Sequence, residues 1–129
     1  MSLNAYIRNE WQSIDVQVPS NQPHVWVSDV KCFAKYQGST VFVTLALTLR
    51  LDPTDNQADF ARVSLRVGLL DSLDKVRLST IMTSVDETSE TRFSQAMLEF
   101  QSEHLVCTAF PFLPHRSYEV NAQFFYRVS

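Results

Sequence analysis

From Thr40 to Leu51 the odd positions read Val41, Val43, Leu45, Leu47, Leu49 and Leu51. The even positions read Thr40, Thr44, Ala46, Thr48 and Arg50, with Phe42 as the exception. A helix would scatter those leucines around its circumference, whereas a strand puts them all on one face, against a core. The pattern returns from Ala61 to Leu69, where Ala61, Val63, Leu65, Val67 and Leu69 alternate with Arg62, Ser64, Arg66 and Gly68. It returns again at the C-terminus, where Tyr118, Val120, Ala122, Phe124, Tyr126 and Val128 oppose Glu119, Asn121, Gln123 and Arg127, with Phe125 as the misfit. A strand over Val25 to Tyr36 is expected to turn Trp26, Val30, Cys32, Ala34 and Tyr36 inward, and Val25, Val27 and Phe33 outward.

Weaker alternation predicts strands over Ile14 to Val18, Val76 to Met82, Ser94 to Phe100 and His104 to Phe110. About eight strands result. The expected fold is all-β: an antiparallel two-sheet β-sandwich, jelly-roll-like, with an immunoglobulin-like sandwich as the alternative. Gln37-Gly38-Ser39 reads as a three-residue hairpin joint. Asp52-Pro53-Thr54-Asp55-Asn56 and Asp71-Ser72-Leu73-Asp74 read as turns, and Thr83 to Thr91 as a mobile acidic loop. Phe110-Pro111-Phe112-Leu113-Pro114 is expected to break a strand. Leu3, Tyr6, Ile7 and Trp11 have helical spacing, so residues 1–13 are read as a segment or short helix packing on a sandwich of residues 14–129.

The chain has 129 residues, one domain's worth, and can bury roughly two-thirds of its unfolded surface without a disulfide or metal. Its net charge is −3, and no basic arm or stripe is visible, so nucleic acid is not an expected partner. No apolar run is long enough for a transmembrane helix, and membrane insertion is not expected. Met1 to Arg8 lacks the apolar run of a signal peptide. Met1-Ser2-Leu3 also reads as an expression scar on a piece of a longer chain. Localisation stays open, with virion and cytoplasm as the guesses. Cys32 and Cys107 fall on inward positions without a C-x-x-C, and read as buried free thiols, with one disulfide as the alternative.

Motifs for chemistry are sparse. His24, His104 and His115 have no metal-ligand spacing, and no G-x-S-x-G is present. Glu99 and Glu103 flank a hairpin turn and read as solvated rather than as a glycosidase pair. The one metal candidate is the loop of Asp52, Asp55, Asn56 and Asp59, whose hard oxygen ligands suit calcium but lack EF-hand spacing. Its bland reading is a turn bonding its own backbone. No cofactor and no enzymatic activity are expected.

The outward positions carry more. Phe33, Phe42, Phe60 and Phe125 break the polar side of their strands, and Phe110, Phe112 and Leu113 form a loop cluster. Several such side chains on paired strands would form a patch, and patches mark interfaces. Phe33, Phe42, Phe60, Phe125 and Phe112 are therefore the expected interface residues. The expected function is a non-enzymatic structural or recognition module that self-associates into a homo-oligomer, such as a viral capsid, spike or receptor-binding domain, with a protein or glycan receptor as partner. The alternative is a small-molecule or carbohydrate-binding β-sandwich using Trp11, Trp26, Tyr36 or Tyr118. The inward position expected for Trp26 counts against it.

Overall fold

The computed structural model describes residues 10–20, 22, 24–51, 60–85, 91–112 and 116–128. They form nine strands in chain order: β1 (Trp11–Ser13), β2 (Val16–Gln17), β3 (Val25–Gln37), β4 (Thr40–Leu51), β5 (Phe60–Val67), β6 (Val76–Val85), β7 (Thr91–Gln101), β8 (His104–Phe112) and β9 (Ser117–Arg127). All pairings are antiparallel, in the order β1-β3-β4-β9-β6-β7-β8-β5-β2. The all-β expectation holds. Two separate sheets are replaced by a single curled sheet, a half-barrel, and eight strands by nine.

The ladder has a narrow waist. β6 meets β9 only at Met82↔Val120, Thr83↔Glu119 and Ser84↔Tyr118. The segment after β5 reaches the far end of β9. The Leu73 amide donates to the Arg127 carbonyl at 2.8 Å, and the Tyr126 hydroxyl donates to the Leu70 carbonyl at 2.6 Å. The outer strands of the curl, β1 and β2, are joined by only Ile14 and Asp15. Ile14 N–H bonds the Cys32 carbonyl on β3, and the Asp15 carbonyl accepts from Gly68 N–H just past β5. One short stretch of chain thus ties both margins of the sheet. The expected strand from Ile14 to Val18 is instead this pair of short strands. Gln22 satisfies another part of the β5 margin: its side-chain amide donates to the Ser64 carbonyl and accepts from Ser64 N–H, as a neighbouring peptide would.

Inward side chains from all the long strands form one core. Val41, Val43, Leu45, Leu47 and Leu49 meet Val63, Leu65, Val67, Leu98, Phe100, Tyr118 and Val120 there. The rings of Phe100, Phe124 and Tyr126 pack at 5.2–6.3 Å. The alternation read from the sequence therefore assigns faces correctly on β4, on the described part of β5 and on β9.

It fails on the first half of β3. Val25 is buried and Val27 half-buried, while Trp26 and Val30 are exposed, the reverse of the expectation. Ser28 faces Thr48 and Lys31 faces Ala46, so Asp29 and Val30 together oppose the single residue Leu47. This β-bulge inserts one extra residue and inverts the parity of everything before it. Asp29 takes φ +51°, a left-handed angle that aspartate tolerates better than most residues.

Other boundaries shift. The β3–β4 joint has two loop residues, Gly38 and Ser39, between the paired Gln37 and Thr40. Gly38 at φ +59° holds the first central position, where a type II′ turn takes glycine. Ser102 and Glu103, both at positive φ, make the two-residue β7–β8 turn. The expected acidic loop from Thr83 to Thr91 is strand at Thr83 to Val85 and at Thr91, and its residues 86–90 lie outside the described ones. β8 continues through Pro111 to Phe112, where the pairing with β5 skips positions and needs no proline N–H. Most of the residues read as a helix lie outside the described ones, and Trp11 belongs to β1.

Candidate interaction surface

Register brings three of the five expected interface residues to one place. Trp11 on β1 faces Lys35 on β3, Lys35 faces Phe42 on β4, and Phe42 faces Phe125 on β9. These side chains make a row across four strands on the outer face. Phe33 stands one pleat along, between Ser13 and Thr44. The rings of Phe42 and Phe125 lie 6.1 Å apart and tilted, a favourable aromatic pair. The Lys35 ammonium lies 6.0 Å from the Trp11 ring centre, at the limit of a cation–π contact. Phe125 is 68% exposed, and Trp11 and Phe33 are also exposed. Phe60 pairs with Phe112 across β5 and β8, far along the sheet order from this row. Their side chains lie outside what the structure describes, as do Phe110 and Leu113.

A second outer patch had not been expected. Ile81, Phe93 and Met97 are exposed on the β6–β7 hairpin, where Ile81 faces Gln95, between Phe93 and Met97 on β7. The signal was present in the sequence. These residues occupy the positions opposite to Met82, Ala96, Leu98 and Phe100, and reading that opposite parity for apolar side chains finds them.

The bulge shapes a third feature. Ala46 leaves a shallow depression on the outer face between Lys31 and Asn121. Asp29, Thr48 and Glu119 complete its rim. Trp26, 61% exposed, faces Arg50 and is the diagonal neighbour of Thr48. Tyr36 and Tyr118, the other expected ring platforms beside Trp11 and Trp26, are buried.

Asp52, Asp55, Asn56 and Asp59 lie outside the described residues, as does His115. Among the described residues no group of three or more His, Cys, Asp or Glu side chains could hold a metal. Glu99 pairs with Arg77 at 3.4 Å and Lys75 at 3.9 Å, and Glu103 with Arg66 at 3.5 Å. Cys32 and Cys107 are free and buried. Burial pushes the Cys32 thiol up to about 11 and Cys107 to about 12, so neither offers a nucleophilic thiolate near neutrality. No described helix is long and apolar enough to cross a membrane.

No protein-family model, no curated protein and no solved structure matches the chain.

Proposed function

We propose that the chain is a non-enzymatic recognition module that self-associates through the outer face of β1, β3, β4 and β9, as a component of an assembly. The observation that carries this reading is the row of Trp11, Lys35, Phe42 and Phe125 with Phe33 beside it. An outward face in contact with water carries polar side chains, and one that packs against protein carries aromatics near its centre. At 3.4 Å per residue and 4.8 Å between strands, this face offers on the order of 600 Å² of projected area. A standard interface needs about 800 Å² from each partner, so a contact centred on the aromatic row alone would be a small and weak one. A second copy is the occupant proposed, because a net charge of −3 opposes self-contact only weakly.

Light scattering and sedimentation across the micromolar to millimolar range test this. The wild-type chain associates. Phe125→Lys shifts it to monomer and costs folding about 1 kcal/mol or less, since Phe125 lies outside the core and gives up only its ring pair with Phe42. A wild-type chain that stays monomeric throughout that range overturns the reading.

A further inference from the structure

We infer that the depression beside the β3 bulge is a binding site for a neutral pyranose ring, with Trp26 as its stacking platform. The depression shares the outer face of β3, β4 and β9 with the aromatic row but lies at Ala46 rather than Phe42 along β4, and the inference rests on different residues from that row.

Two local costs coincide at this spot. An unbroken alternation would bury Trp26, and the extra residue at Asp29–Val30 holds it on the outer face instead. Leaving a side chain of that size exposed forgoes roughly 2 kcal/mol or more of burial. Asp29 adds a left-handed backbone angle, and strained residues retained on a scaffold concentrate where ligands are held. The same bulge shapes the depression. Its volume is about 210 Å³, below the span typical of drug-sized ligands, and open to solvent. A single small ring matches it better than a large ligand.

The rim specifies the ring's chemistry. Asp29 and Glu119 accept hydrogen bonds, Lys31 donates, and Thr48 and Asn121 do both. Asp29, Lys31 and the Asn121 side chain bond no other described residue, and Glu119 has only a 3.5 Å contact from the Thr83 hydroxyl. Sugar hydroxyls are donors and acceptors at once, so they can satisfy all five groups. The apolar C–H face of a pyranose can lie on the indole, whose face carries partial negative charge. An organic cation would be drawn by the two carboxylates but would leave the Lys31 and Asn121 donors unused. An anion would meet two carboxylates against one ammonium.

The test is a ¹H–¹⁵N titration of the full chain. The probes are the methyl pyranosides of glucose, galactose, mannose and N-acetylglucosamine, up to about 50 mM, because shallow sites bind single sugars near millimolar Kd. Choline and sialic acid serve as charged probes. Saturable shifts are expected for at least one neutral pyranoside, at the Trp26 indole N–H and the amides of Asp29, Lys31, Thr48 and Asn121. Trp26→Ala and Asn121→Ala should each weaken binding at least tenfold while melting as the wild type does. Phe125→Lys should bind the sugar unchanged, which separates this site from the association face. No saturable shift with any pyranoside, stronger binding of choline or sialic acid, or shifts that persist in Trp26→Ala would each overturn the proposal.

Discussion

Leu47 sits at the middle of β4, facing Val120 on β9 on one side and the Asp29–Val30 bulge on the other, and is 3% exposed. Leu47→Asp removes its buried side chain, at about 3 kcal/mol. The new carboxyl must also stay neutral in the core. Holding it protonated at pH 7 against a reference pKa near 3.9 costs about 4 kcal/mol, at 1.36 kcal/mol per unit. The neutral acid without a hydrogen-bond partner costs about 2 kcal/mol more. The total, about 9 kcal/mol, matches the whole stability of an ordinary domain, so the variant should be largely unfolded at neutral pH. The folded-state pKa of the new group is raised above its unfolded value. The charge-related part of the penalty is therefore absent below about pH 4 and grows as pH rises towards the folded pKa. Urea denaturation followed by circular dichroism at pH 4 and pH 7 measures this. Leu47→Asn should lose stability without that added pH dependence. Thr44→Asp, on the opposite face of the same strand, should change stability by about 0.5 kcal/mol or less. A Leu47→Asp protein that melts with the wild type, or a penalty equal at both pH values, would refute the inward assignment of β4.

Three further outcomes follow from particular contacts. Tyr126→Phe deletes the 2.6 Å bond to the Leu70 carbonyl and should cost about 1–2 kcal/mol in urea denaturation; an unchanged midpoint would show that water replaces the hydroxyl. Asp29→Val places a β-branched side chain at φ +51° and should destabilise by about 1–2 kcal/mol, whereas Asp29→Gly should be close to neutral; equal melting of the two variants would argue against a left-handed bulge residue. Burial raises the thiols from 9.0 to about 11 at Cys32 and about 12 at Cys107, and burial also raises Tyr126, with smaller contributions from Tyr36, Asp71 and Cys32. Their stabilisation is complete below pH 9 and falls as pH rises through 11–12, so the double variant Cys32→Ala, Cys107→Ala should lose stability less steeply over that window. Parallel stability–pH curves for variant and wild type would contradict that.

Sequence alone determined the strand character and the inward faces of β4, β9 and the described part of β5. A side-chain period of two is local, so Val41 to Leu49 and Tyr118 to Val128 declare their core side without knowing their partners. The same parity exposed Phe33, Phe42 and Phe125 as misfits, and held the signal for Ile81, Phe93 and Met97. Tertiary structure decided what needs pairing. The register that lines up Trp11, Lys35, Phe42 and Phe125 depends on which strands become neighbours, and β9 lies next to β4 from far along the chain. The single curled sheet likewise depends on Ile14 and Asp15 reaching both margins, which no local pattern encodes. The sharpest divergence is at Trp26. Alternation counted through Ser28 to Lys31 buries it, but two residues opposite Leu47 reverse the count and bring it out beside Thr48. A bulge is defined by the strand across from it, so a single strand read alone cannot reveal which face Trp26 takes.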